Sequence, residues 1–153
     1  MSDQHELSVR LAATGDLDVV AQVWHDSAVS MDGAGPEVPS RESLRLRIGA
    51  EIQAGWNLHV AVRGGRVLGM LALKPCDAAL DQIFVSPKEQ GRGIGRALLD
   101  VAKRAMPGGF TLRMAASNRK AGRFYEKEGM KALGEGVHPR TGIPVHFYGW
   151  NVP

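Results

Sequence analysis

At 153 residues the chain has the length of one domain, residues 1–153, enough to bury about two-thirds of the surface its unfolded form would expose. Hydrophobic residues at 44% and charged residues at 23% exclude a disordered polar chain but name no function. Nineteen Lys and Arg against 16 Asp and Glu leave a formal net charge of +3, spread along the chain without a basic run, so an anionic ligand is allowed and a nucleic-acid partner is not indicated.

In chain order, Asp3, Gln4, His5 and Glu6 stand where a secretion signal would carry basic and then apolar residues. No apolar run approaches the roughly 18 residues of a membrane span. The lone Cys76 has no partner for an internal disulfide. A cytoplasmic protein with no membrane partner is expected. Leu7, Val9 and Leu11 alternate with polar residues as a first strand. Thr14 is placed to cap a helix whose stripe is Leu17, Val20, Ala21, Trp24 and Ala28. Met31 to Pro39, broken by Gly33, Gly35, Pro36 and Pro39, is expected to be a loop forming a substrate-binding lip. Ser40 caps a second helix carrying Leu44, Ile48 and Ile52 and ending at Gly55. Asn57 to Arg63 and Arg66 to Leu73 read as strands of a hairpin turning at Gly64-Gly65, where both turn residues can take positive φ.

Leu80 to Val85 is a strand stopped at Ser86-Pro87. From Ile94 the period becomes helical: Ile94, Ala97, Leu98, Val101, Ala102 and Ala105 form one apolar stripe, up to a stop at Pro107-Gly108-Gly109. Between strand and helix lies Gln90-Gly91-Arg92-Gly93-Ile94-Gly95. The glycines lack the spacing of a dinucleotide fingerprint, and no Gly-Lys-Ser/Thr of a P-loop is present. What remains is a side-chain-free backbone at the positive end of a helix, flanked by Arg92 and Arg96, suited to a pyrophosphate. Phe110 to Ala116 is a strand parallel to Leu80–Val85 if the intervening helix is a crossover. Asn118 caps a helix over Arg119 to Glu128, ended by Gly129. Lys131 to Glu135 and Val145 to Trp150 complete the strands.

Gln-x-x-Gly-x-Gly after a strand ending in Val85-Ser86-Pro87 resembles motif A of the GNAT (Gcn5-related) N-acetyltransferases, and Ala116 to Met130 resembles their motif B. The element order β-α-α-β-β-β-α-β-α-β-β is that of the family. The resemblance implies an α/β fold with a mixed sheet of about seven strands and four helices. It implies acetyl-CoA as cosubstrate, its pyrophosphate on the main chain of Gly91, Arg92, Gly93, Ile94, Gly95 and Arg96 with Gln90 beside them. Ile83, Phe84 and Val85, on a bulged strand, would pair their main-chain groups with pantetheine, one N–H polarising the acetyl carbonyl. Asn118 would hold the same arm. Tyr125 would be the general acid for the departing thiolate, for which a phenol of pKa about 10 is suited. Arg123 would reach a nucleotide phosphate.

An amine is mostly ammonium at neutral pH and needs a base. Asp81, Glu37 and His25 are the candidates; strict alternation groups Leu80, Gln82 and Phe84 and turns Asp81 to the other face. Ala79 stands where some histone-modifying relatives carry a glutamate. Trp24 and Glu37 are expected to line the acceptor pocket. His138 and His146 lack a third ligand at metal-binding spacing, so no metal is expected. Cys76, without a placed histidine, reads as a small half-buried residue. The expected activity is direct acetyl transfer to a primary amine of a small molecule or amino acid. A protein N-terminus or lysine is the alternative acceptor, and a non-catalytic acyl-CoA sensor the alternative class. A homodimer through Val145 to Trp150 is expected by analogy with the family.

Overall fold

The computed structural model describes residues 6–30 and 38–153, so the expected lip residue Glu37 lies outside the described residues. The elements are β1 (Ser8–Leu11), α1 (Leu17–Ser30), α2 (Arg41–Gln53), β2 (Asn57–Arg63), β3 (Arg66–Lys74), β4 (Ala79–Val85), α3 (Ile94–Ala105), β5 (Phe110–Ala115), α4 (Arg119–Lys127), β6 (Lys131–Val137) and β7 (Pro144–Trp150). The strands form one sheet in the order β1-β2-β3-β4-β5-β7-β6. All neighbours run antiparallel except β4 and β5, which the α3 crossover makes parallel.

Local chemistry sets the boundaries. Ser40 Oγ accepts from Ser43 N–H at 3.1 Å, which starts α2. Gly64 and Gly65 take φ of +58° and +76° in the β2–β3 turn. Thr14 is not the cap of α1. It lies in a 3-10 turn whose Ala13 N–H donates to Asp16 Oδ2 at 2.7 Å, with Arg10 paired to the same oxygen at 2.7 Å.

Alternation along β3 feeds two cores. Leu71 and Leu73 join Leu98, Leu99 and Phe110 on the face covered by α3, whereas Met70 and Ala72 join Val20, Trp24, Leu44 and Ile48 on the face covered by α1 and α2. A strand buried on both faces is apolar at every position, and Leu68 to Leu73 is such a run. Gly69 sits where a Cβ would be tight: one would stand 3.0 Å from Phe84 O and 3.1 Å from Leu98 Cδ1, so β4 or α3 would have to shift by a few tenths of an ångström.

The sheet parts in its middle. β4 pairs with β5 at Ala79 and Thr111, supported by Thr111 N–H donating to Ala78 O at 3.0 Å. Beyond that pair the strands separate. Against β3, Leu73 faces Leu80 and Ala72 faces Gln82, so Asp81 is an extra residue. That bulge, and not one at Ile83 to Val85 as expected, bends β4 and raises its twist where pairing ends. It also overturns the expected face grouping: Leu80, Ile83 and Val85 pack with the α3 core, while Phe84 packs with Trp24 on the other face.

The expected dimer contact needs correction as well. β7 lies between β5 and β6 with both edges paired, so Val145 to Trp150 has no free edge to offer a second chain. The edge strand at that end is β6. Among the described residues no helix is long and apolar enough to cross a membrane. Gly69→Ala should destabilise the fold by about 1–3 kcal/mol, read from urea denaturation, because the methyl meets β4 backbone on one side and α3 on the other.

Candidate active site

Where β4 and β5 part, a cleft of about 710 Å³ opens, lined by both strands, the glycine loop and the start of α4. Main-chain orientation follows from the β3 pairing. Ser86 N–H donates to Leu68 O at 2.8 Å, and Phe84 O lies against Gly69, so Phe84 and Ser86 turn their polar groups to β3. Ile83 and Val85, one position out of phase, turn theirs toward the side that β5 has left. Of the three expected main-chain contacts, Phe84 therefore has its N–H and C=O directed to β3; the residue still lines the cleft, with its ring 5.8 Å from Trp24. Val85 O is already taken, accepting from Ser27 Oγ at 2.9 Å and Gln90 Nε2 at 3.2 Å. Ile83 N–H and C=O and Val85 N–H are left facing the cleft.

A second row of free amides continues from the first. The first hydrogen bond into α3 runs from Ala97 N–H to Gly93 O at 3.1 Å. The N–H groups from Gly91 to Arg96 thus have no acceptor among the described residues and stand at the positive end of α3. Gly91 and Gly93 hold φ of +81° and +83°, the left-handed region glycine enters without penalty. Gly95 is needed for packing instead: a Cβ there would stand 3.2 Å from Phe124 Cζ, so it lets α3 and α4 approach.

Side chains around the loop differ in part from expectation. Arg92 is exposed and 3.7 Å from Glu89; Arg96 is exposed and 3.5 Å from Glu128. Arg96 lines the cleft and Arg92 does not, while Ile94 is buried in the core. Arg123 is exposed and does not line the cleft; Lys120, one turn earlier, does, with Nζ donating to Gln90 Oε1 at 3.0 Å. Gln90 thereby ties the end of β4 to α4. Lys120 was not singled out from sequence, although its place two residues after the capping Asn118 is a usable signal.

Asn118 Oδ1 accepts from Ala121 N–H at 3.2 Å, and the residue lines the cleft nearly buried. Its amide nitrogen has no acceptor among the described residues. Tyr125 also lines the cleft, its ring packed 5.4 Å from Phe124 and 5.8 Å from Tyr148. Burial pushes its phenol pKa well above the ordinary value, since a phenolate there would lose its hydration.

On the other face of the slot, Asp81 Oδ2 accepts from Trp56 Nε1 at 2.8 Å and lies 3.9 Å from Lys74 Nζ. Its Oδ1 has no partner among the described residues. Trp24 does not line the cleft: it is 4% exposed, between Trp56 at 5.9 Å and Phe84 at 5.8 Å. Its position on the apolar stripe of α1 puts it in the core. His25 Nδ1 donates to Pro39 O at 3.1 Å, a link between α1 and the segment before α2. Arg113 and His138, unforeseen as site residues, line this side, 3.5 Å apart. His146 instead approaches Glu135 at 3.3 Å. Cys76 is exposed in a 3-10 turn, not half-buried.

A seven-stranded mixed sheet parted at its parallel pair, with a glycine turn of free amides at the start of a helix, defines the split-sheet α/β class. The model of the acetyltransferase (GNAT) domain matches residues 54–131, and the chain belongs to that family. It is 31% identical over 108 residues to the probable N-acetyltransferase Rv2775 of Mycobacterium tuberculosis, covering 65% of this chain and 62% of that protein. It is 37% identical over 147 residues to a mycothiol acetyltransferase of Beutenbergia cavernae, covering 88% of this chain and 48% of that one. The chain thus spans about six-tenths and about half the length of these relatives. Its fold matches a GNAT superfamily phosphinothricin acetyltransferase of Sinorhizobium meliloti with a TM-score of 0.73 at 19% identity, over 94% of this chain and 87% of that one.

Gly93→Ala should lower the unfolding free energy by about 1–2 kcal/mol, because alanine must then hold the left-handed backbone that starts α3. Urea denaturation reads this directly, and an unchanged midpoint would mean the turn has moved.

Proposed function

We propose that this domain transfers acetyl from acetyl-CoA to the nitrogen of a primary amine on a small molecule or amino acid. The observation that carries the reading is the alignment of two rows of unpartnered main-chain groups, Ile83 with Val85 and Gly91 to Arg96, along a single slot ending beside Tyr125. The S. meliloti structure, of the same fold, is a complex with AcCoA. Bound in the slot, acetyl-CoA would supply a thioester whose acetyl group passes to nitrogen with release of the thiol.

The chain's own groups suit each part of that ligand. The amides from Gly91 to Arg96, with Arg96 and Lys120 nearby, suit a diphosphate at the helix N-terminus. Ile83, Val85 and the Asn118 amide offer donors and an acceptor to an amide-containing arm. An N–H of β4 aimed at the reacting carbonyl is worth about 3 kcal/mol if it tightens as negative charge develops. Tyr125, held protonated by its burial, gives its proton to the sulfur as the C–S bond breaks, so that CoA leaves as the thiol, and the phenol is reprotonated from solvent. Asp81, held by Trp56 through Oδ2, keeps Oδ1 to take the proton that an ammonium must shed before nitrogen can attack.

Tyr125→Phe should lower kcat by about 10²- to 10⁴-fold, measured by release of free CoA thiol, while acetyl-CoA affinity barely moves. Unchanged turnover would remove the phenol from the mechanism. Since burial raises the Tyr125 pKa, its ionisation should cause no loss of kcat below about pH 10. An alkaline limb near neutrality that disappears in Tyr125→Phe would contradict this.

A further inference from the structure

The two mouths of the slot differ in charge. On the α3/α4 side the free amides supply the positive potential. On the α1/α2 side side chains supply it, from three elements distant in sequence. Arg113 on β5 lies 3.5 Å from His138 of the β6–β7 connection, and both line the cleft. His138 Nδ1 accepts from the N–H groups of Arg140 and Thr141 at 3.1 and 3.4 Å, which directs the ring proton to Nε2 and makes that nitrogen a donor. Arg47 on α2 stacks its guanidinium 5.1 Å from the Trp24 ring, and its buried Nε has no hydrogen-bond partner.

Among the described residues the carboxylates on this side are Glu51 and Asp81. Glu51 lies 3.6 Å from both Arg47 and Lys74, and Asp81 lies 3.9 Å from Lys74. Among the described residues, Glu51 and Asp81 pair with Arg47, Lys74 and Trp56, and neither Arg113 nor Arg140 has a carboxylate partner. The strain is visible on His138, whose imidazolium is disfavoured by burial and then by Arg113, Arg140 and Arg47. Arg113 and Arg140 are exposed and His138 and Arg47 partly buried, so the cluster is open to an anion entering from the cleft.

We propose that the acceptor amine carries an anionic group, carboxylate or phosphoryl, whose oxygens bridge Arg113 Nη2 and His138 Nε2 from the cleft side, with Arg47 and Arg140, outside the cleft lining, adding to its field. This rests on the acetyltransferase reading and narrows its substrate class. The amine end of such a molecule then lies toward Asp81, on the same side of the slot. Planar, bidentate arginine contacts favour such groups over neutral amides.

The test uses the whole protein and three probes at fixed ionic strength: N-acetylglycine, N-acetylglycinamide and inorganic phosphate. The His138 imidazole resonance, assigned by its loss in His138→Asn, is followed by NMR. A saturable shift with a rise in the His138 pKa is expected from an anion and not from the amide, with affinity at least about tenfold weaker in Arg113→Ala. Saturation by N-acetylglycine assigns a carboxylate, and saturation by phosphate alone assigns a phosphoryl group. No saturable shift from either anion up to about 100 mM, or the same shift from the amide, overturns the inference. Calorimetry with acetyl-CoA on the same sample separates the two readings. Heat without an anion response sinks only this inference, whereas no heat sinks the acetyltransferase reading itself.

Discussion

The parallel contact between β4 and β5 at Ala79 and Thr111 is the constraint on which the rest of the structure depends. Parallel strands normally satisfy each other's main chain along their length. Here pairing stops almost at once, and the bulge at Asp81 turns β4 aside. The main-chain groups this frees would be costly to leave unpaired in a protein interior, and they are tolerated because the gap stays open as a cleft. Leu80, Phe110 and Leu112 below the slot, and Tyr125 beside it, hold the two halves of the sheet together with apolar packing where hydrogen bonds are missing.

The same opening divides the labour of the site between two faces. The α3/α4 face offers main-chain donors: the glycine turn, braced by Gln90 to Val85 O and to Lys120, and the close approach of Gly95 to Phe124. The α1/α2 face offers side chains, with Asp81 oriented by a buried indole and a cationic rim from α2, β5 and the β6–β7 connection. Main-chain donors suit a ligand that never changes. Side chains on exposed connections suit one that varies between relatives.

What the sequence made legible were the features whose cause is local. Ser40 and Asn118 cap the helices they were read to cap, because a cap needs only a hydroxyl or amide within three residues. The α3 stripe, the Gly64-Gly65 turn and the glycine loop follow from spacing alone. The features that were not legible depend on contacts across the fold. The extra residue at Asp81 shows only against β3, and it alone reverses the face of Leu80. The polar main chain of Phe84 is turned to β3, and Val85 O accepts from Ser27 of α1. Trp24, expected at the acceptor pocket, is sealed by Trp56 and Phe84 from other elements. Arg123 and Lys120 carry the same charge one turn apart, and only the hydrogen bond of Lys120 to Gln90, from another element, sets Lys120 at the cleft. The Arg113–His138 pair joins residues 25 apart across a sheet whose order is not sequential.

Main-chain amide NMR tests the central claim most directly, because it reads the groups the parted strands leave free. Titrating CoA should move the amide signals from Gly91 to Arg96 together with those of Ile83 and Val85, while pantetheine, which lacks the diphosphate, should move only the latter two. If CoA leaves the glycine-loop amides where they were, the open slot does not hold a diphosphate and the account fails.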